Sequence, residues 1–437
     1  MMSPPMIGSI GIVILFVGVL LGVPIAIASA FIGFIGCSII LGFNGALGVI
    51  HVFTIGETAS YALSVIPLFI LMGNFALKGG IGEELYGAFS IWLRSVRGGL
   101  AMATTASCAM FGACSGSSLA TAATFTKLAL PEMKKHHYDN RLSAGSIAIG
   151  GTLASLIPPS GMMAVFCLFT EVSLGKLLIA GIIPGALSAL LYMVWIHILV
   201  KKKPSLSPEI LSKAPFKERF ASSKSLFGAI IIFTTLLGGI YTGIFSPTEA
   251  AAWGAFVVLL INLLRRRIGV KDFFVVLKDS AQITGMIFFI IVGAMIFTQF
   301  LAVSRLPSIF CSFVTGWNVS PLVIVFLMLM IYIFLGTFLD AVAMMALTLP
   351  IFYPIIESLG LNGIWFGILV VKMTEMALIT PPLGLNCYVV YGTAEGRVTL
   401  GEVFKGALIM AVMDVIWLIL LFAFPQIASW LPSMALS

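Results

Sequence analysis

The chain has 437 residues, 60% of them hydrophobic and 9% charged, with a formal net charge of +7. Apolar runs of roughly 17–25 residues recur along nearly its whole length, more than a soluble core can use, which argues against a soluble enzyme or a nucleic-acid-binding module. Only closed backbone hydrogen bonding survives in hydrocarbon, so the expected fold class is all-α, a polytopic membrane protein.

The first apolar run, 7–22, has no basic residue ahead of it, since the first is Lys78, and so lacks the positive segment of a cleavable signal. It is expected to stay as a helix, followed by a second crossing at 25–42. Residues 81–94 mix charges with Leu85, Phe89 and Trp92 at helical spacing, which suits a helix lying along the membrane surface, with an ordinary cytoplasmic turn as the alternative. Residues 98–131 form an apolar segment interrupted near its middle by Gly and Ser. Arg94 and Arg97 precede it and Lys134 and Lys135 follow it, so it is expected to enter and leave by one face as a re-entrant hairpin. A crossing broken by Pro158-Pro159 and a further crossing complete the first half. The polar stretch 201–224, carrying Pro204, Pro208 and Pro215, reads as a cytoplasmic linker. Crossings at 226–242 and 283–303, a second interrupted segment around Asp340, a second Pro-Pro break at Pro381-Pro382 and a last crossing at 407–424 follow.

These landmarks repeat in order. Gly22-Val23 matches Gly243-Ile244, Gly73 matches Gly293, Gly112 matches Gly336, Pro131 matches Pro354 and Pro158-Pro159 matches Pro381-Pro382, while Val172-Ser173-Leu174-Gly175 matches Val398-Thr399-Leu400-Gly401. A hairpin adds no net crossing, so each half makes five crossings and the second threads the bilayer upside down, as an inverted repeat. Most of the 24 basic residues fall in 78–97, 134–141, 201–224, 265–278 and 397–405. Placing those stretches in the cytoplasm satisfies the positive-inside rule and puts both chain ends on the outer face.

Three constellations carry chemistry. Gly112-Ala113-Cys114-Ser115-Gly116-Ser117-Ser118 places hydroxyls and turn-permitting glycines at the first hairpin tip, neutral oxygens that suit a hard monovalent cation. Close helix packing by small residues is the alternative. Asp340, in Phe334-Leu335-Gly336-Thr337-Phe338-Leu339-Asp340, is the one acidic residue between Leu322 and Tyr353, and an ionisable group there needs a partner or a task. The Pro-Pro pairs free carbonyls near Ile157 and Thr380 and start half-helices whose N-termini favour an anion. Lys372 and Glu375, one turn apart, are expected to neutralise each other, and Glu249 to cap a helix start.

Other chemistry is not indicated. Cys37, Cys108, Cys114, Cys167, Cys311 and Cys387 form no CxxC pair and read as packing residues, and the four histidines show no metal spacing. Gly175-Lys176 is followed by Leu177 without the preceding glycine, so no ATP-binding loop is present and the chain is not read as an enzyme.

Through the 112–118 stretch, 157–161, 335–340 and Ile379-Thr380-Pro381-Pro382-Leu383-Gly384-Leu385-Asn386, and across almost its whole length, the sequence resembles the large membrane subunit of tripartite ATP-independent periplasmic transporters. The general similarity leans toward the sialic-acid branch. The resemblance implies an elevator-type fold and sodium-coupled import of a small organic acid, a sialic acid or C4-dicarboxylate, across the bacterial inner membrane. It implies two partners, a small four-helix membrane subunit and a periplasmic substrate-binding protein, with no cofactor beyond sodium. Because no helix precedes residue 7, the small subunit is expected as a separate chain. The expected sodium ligands are Ser115, Ser117, Thr152, Gly336, Thr337, Asp340, Thr380 and Pro381; the residues expected nearest the substrate are Ser118, Pro159, Ser160 and Asn386. In domain terms, 1–97 and 225–319 are scaffold, 98–200 and 320–437 form the moving body and 201–224 is the linker. A sodium-dicarboxylate symporter working without a binding protein is the alternative.

Overall fold

The computed structural model describes residues 2–58, 60–207, 212–317 and 319–435, with the backbone alone for 52–58. The described residues contain helices, turns and coil but no strand. The first half runs α1 (Pro4–Leu20), α2 (Ile25–Leu41), α3 (Phe43–Thr58), α4 (Val65–Lys78), α5 (Ile81–Leu93), α6 (Gly99–Ser115), α7 (Ser118–Lys135), α8 (Asn140–Leu156), α9 (Gly161–Thr170) and α10 (Leu174–Lys202). The second runs α11 (Phe216–Ser223), α12 (Phe227–Tyr241), α13 (Pro247–Leu264), α14 (Val270–Ser304), α15 (Leu306–Thr315), α16 (Pro321–Leu335), α17 (Ala341–Ser358), α18 (Gly363–Ala377), α19 (Leu385–Thr393), α20 (Leu400–Ala423) and α21 (Gln426–Met434).

The repeat holds element by element: α1 and α2 correspond to α12 and α13, α5–α10 to α15–α20, and the α3–α4 pair to the single 35-residue α14. Packing follows the same symmetry. α2 lies on α14 as α13 lies on α4, and α7 packs on α19 as α9 packs on α17. The glycines matched in sequence occupy mirrored close approaches: a Cβ on Gly112 would stand 2.5 Å from the Ala154 Cα, and one on Gly336 would stand 2.1 Å from the Ala377 Cβ. Both glycines let the first arm of a hairpin touch the helix that precedes a Pro-Pro break.

Among the described residues, seven helices are long and apolar enough to cross a membrane, or eight if the bent pair α8–α9 counts as one span. This is below the ten crossings expected from sequence. α1 and α2 are apolar but 17 residues long, which gives a rise of roughly 25 Å against a hydrocarbon core of about 30 Å. α18 and α19 are separated by the irregular stretch 378–384, so they do not read as one bent helix. The linker carries a short helix, α11. Within it α11 docks on α5: Trp92 Nε1 donates to Ser223 Oγ at 3.2 Å, the Arg219 guanidinium stacks 5.5 Å from the Trp92 ring centre, and Arg94 pairs with Glu218 at 3.4 Å. Pro208 lies outside the described residues. Glu249 caps α13 as expected, accepting from Ser246 N at 2.8 Å while its own amide donates to Ser246 Oγ.

Candidate substrate and ion site

The chain reverses twice, once between α6 and α7 and once between α16 and α17. At the base of the first hairpin, Leu100 N donates to the Tyr138 hydroxyl at 3.2 Å, so the segment leaves beside the point where it entered. At its tip Gly116 adopts φ +59, and a Cβ there would sit 3.0 Å from the Pro159 carbonyl oxygen, so the turn is open only to glycine and rests on the first Pro-Pro break. Thr121 Oγ1 donates to the Ser117 carbonyl at 2.8 Å. The Ser115 hydroxyl, 3.0 Å from Thr121 Oγ1, must therefore donate to it, which leaves the Ser115 lone pairs available to a cation.

Three half-helices begin with a side-chain cap. Ser117 Oγ accepts from Ala120 N at 3.3 Å, Ser160 Oγ from Met163 N at 3.3 Å, and Asp340 Oδ1 from Ala343 N at 3.0 Å. The amides ahead of each capped one have no intrahelical acceptor. The first residues of α7 (Ser118–Ala120), α9 (Gly161 and Met162), α17 (Ala341 and Val342) and α19 (Leu385) all line one cavity of about 290 Å³. Four positive helix ends thus converge on one space, an arrangement suited to a carboxylate. The opposite wall comes from α4 and α14, including Phe69, Gly73, Asn74, Ile283 and Ile287. Asn74 Nδ2 donates across that wall to Ser280 Oγ at 2.8 Å.

Of the residues expected from sequence, Ser115, Ser117, Ser118 and Asp340 line this cavity. Thr152, Ser160 and Asn386 are buried behind it. Thr152 Oγ1 donates to the Ile149 carbonyl at 2.7 Å and Ser160 Oγ to the Ser155 carbonyl at 2.5 Å. Gly336 packs against Ala377. Thr337 and Thr380 turn their hydroxyls back onto the carbonyls of Phe334 and Met376, each at 2.7 Å. Pro159 is buried at the hairpin tip, whereas Pro381 is exposed, so the two breaks are not equivalent: the first is covered and the second opens outward.

The expected Lys372–Glu375 pair is not formed. Lys372 Nζ instead lies 2.6 Å from Asp414 Oδ1 and donates to Ser188 Oγ at 3.0 Å and to the Tyr192 hydroxyl at 2.7 Å, while Tyr192 donates to Asp414. Residues three apart are about 60° out of line on a helix, enough for Lys372 to face α10 and α20 while Glu375 faces Ser118 and Ser155. Sequence reasoning passed over Ser155 and Asn74, which line the cavity. The available signals were the position of Ser155 just ahead of a Pro-Pro pair and the isolation of Asn74 in an apolar run.

Repeated halves, two hairpins and interrupted helices meeting at one largely apolar cavity describe a multi-pass membrane protein. The sequence matches the family described as tripartite ATP-independent periplasmic transporter, DctM component, over residues 12–427, and the chain belongs to that family. It is 36% identical over 383 residues to the C4-dicarboxylate TRAP transporter large permease protein DctM of Pseudomonas aeruginosa, covering 86% of each chain. It is 27% identical to the sialic acid TRAP transporter large permease protein SiaM of Vibrio cholerae, covering 87% of this chain and 88% of that one. It is 29% identical to the ectoine TRAP transporter large permease protein TeaC of Halomonas elongata, covering 95% and 96%. Among solved structures the fold is similar to the Alcanivorax borkumensis YdaH transporter, with a TM-score of 0.62, 16% identity and coverage of 88% and 90%.

Proposed function

We propose that this chain is the sodium-coupled permease of a three-component importer of a small organic acid, working in the bacterial inner membrane with both chain ends periplasmic. A C4-dicarboxylate is favoured over a sialic acid, because the relative named for it is 36% identical and the one named for sialic acid 27%. The observation that carries the reading is the convergence of four half-helix N-termini and the Ser115 hydroxyl on one cavity. The helix ends suit the carboxylates; the serine oxygens at the hairpin tip suit sodium. Sodium bound at Ser115, Ser117 and neighbouring carbonyls stiffens the tip and sets the amides of α7 for the anion, with Ser118 nearest it. Asp340 holds α17 by its cap while adding negative charge to the cavity wall.

In this reading 98–200 and 320–437 form the moving body, and 1–97 with 225–319 a static scaffold that the body slides along in an elevator cycle. The partners are a small four-helix membrane subunit against the scaffold and a periplasmic binding protein that delivers the substrate.

The test is radiolabelled succinate and sialic acid uptake into vesicles, with and without the binding protein and across a sodium series. S115A and S117A are expected to raise the sodium concentration for half-maximal uptake roughly tenfold. An unchanged sodium dependence removes the assignment. Uptake by the chain without a binding protein supports a stand-alone symporter instead.

A further inference from the structure

Among the described residues the buried charged side chains are Lys372, Asp414 and Glu375, which sum to −1 when all three are ionised. Lys372 is committed to Asp414, so the unbalanced charge belongs to Glu375. Its side chain is fully buried, and neither carboxylate oxygen has a hydrogen-bond partner among the described residues. A bare carboxylate is too costly to leave in a membrane interior, so this one takes up either a proton or a cation. The carboxylate stands beside the hydroxyls of Ser118 and Ser155, outside good hydrogen-bond geometry with either, and the Lys372 ammonium lies a helical turn away. Ser155 Oγ is itself buried and unpartnered, while the Ser155 carbonyl is already taken by Ser160. Both serines line the central cavity, which gives the pocket a route to water.

We propose that Glu375, Ser118 and Ser155 form a second cation site, behind the hairpin tip, which takes a dehydrated monovalent ion of sodium size. One carboxylate with neutral hydroxyls matches a single positive charge, whereas divalent calcium sites collect several acidic ligands. The site rests on the sodium-coupled reading and adds to it a position, independent of Ser115, that restores neutrality to the interior. It also ties three elements together, since Ser118 opens α7, Ser155 ends α8 and Glu375 lies on α18. Ion binding there would hold the first hairpin against both interrupted helices.

The experiment is equilibrium radiosodium binding to the full chain in lipid nanodiscs, with unfolding temperature measured in sodium-free and sodium-containing buffer. E375Q, which keeps the shape and removes the charge, is expected to bind one sodium fewer per chain than the parent. In sodium-free buffer it should unfold no earlier than the parent, yet gain less from sodium, a pattern that loss of a structural contact does not give. E375D and S155A, which keep the charge but disturb the cage, are expected to weaken sodium binding by roughly tenfold. Equal sodium counts and affinities in the parent, E375D and S155A, or in the parent and E375Q, overturn the site and point to a proton fixed on the carboxyl. Absence of sodium binding to the parent overturns this site together with the coupling reading, whereas loss of sodium in E375Q but not in S115A leaves the new site standing and removes only the hairpin-tip ligands.

Discussion

Lys372 sits at 1% exposure among apolar helices, yet its ammonium has the Asp414 carboxylate, two hydroxyls and the faces of Tyr192 and Trp417 around it. Removing one member of such a set strands a charge, which costs about 3–5 kcal/mol, whereas removing both charges together costs far less. K372M is therefore expected to lower the unfolding free energy in mixed micelles by about that amount, and K372M combined with D414L to recover most of it. A double variant no more stable than the single one would show that the pair is not a closed unit. The partner of Lys372 was not legible in the sequence, because Asp414 lies on a distant helix and only folding brings α18 to α20. By contrast, the roles of Ser117 and Asp340 at helix starts could be anticipated, since each directly precedes an apolar helical run. Which hydroxyl keeps free lone pairs could not, because that depends on where Thr121 sends its proton.

Among the helices, matched small residues were the most informative signal in the chain. Gly112 and Gly336 were paired by sequence position alone, and the structure gives both the same task, the close crossing of a hairpin arm over the last turn of α8 or α18. Added methyl groups at such crossings force the helices apart, at roughly 1–3 kcal/mol each. G112V and G336V are expected to lose stability in that range in the same unfolding assay, and G18V, where a Cβ meets nothing within 4 Å, to lose little. Similar losses at all three positions would mean that the glycines matter for chain flexibility rather than for contact. The count of crossings was less legible, because α1 and α2 fall near the length at which a helix just spans. So was α11, whose docking depends on Trp92 and Arg94 in a distant part of the sequence.

At the scale of the whole molecule, the central question is whether the cavity has one fixed wall and one that moves. The cavity joins α4 and α14 on one side to the hairpin tips and interrupted helices on the other. The contact between the two sides is close at Gly73, where a Cβ would stand 2.5 Å from the Ser115 carbonyl oxygen, and a side chain there would catch the hairpin tip as it passed. Contacts within the α4–α14 wall are specific instead, as in the Asn74–Ser280 hydrogen bond. This difference predicts opposite effects from two bridges of similar chemistry. In a background with the six cysteines replaced, G73C with S115C bridged by mercuric ion spans the sliding contact, and N74C with S280C lies within one wall. G73C slows the cycle by itself, so the first is expected to abolish the reduced uptake of its unbridged form until a thiol removes the metal, and the second to leave most of its uptake, each compared with the same variant before bridging. If both bridges arrest uptake equally, the two walls work as one body and substrate must cross by local opening of the hairpins; if neither does, Gly73 and the hairpin tip never part during the cycle.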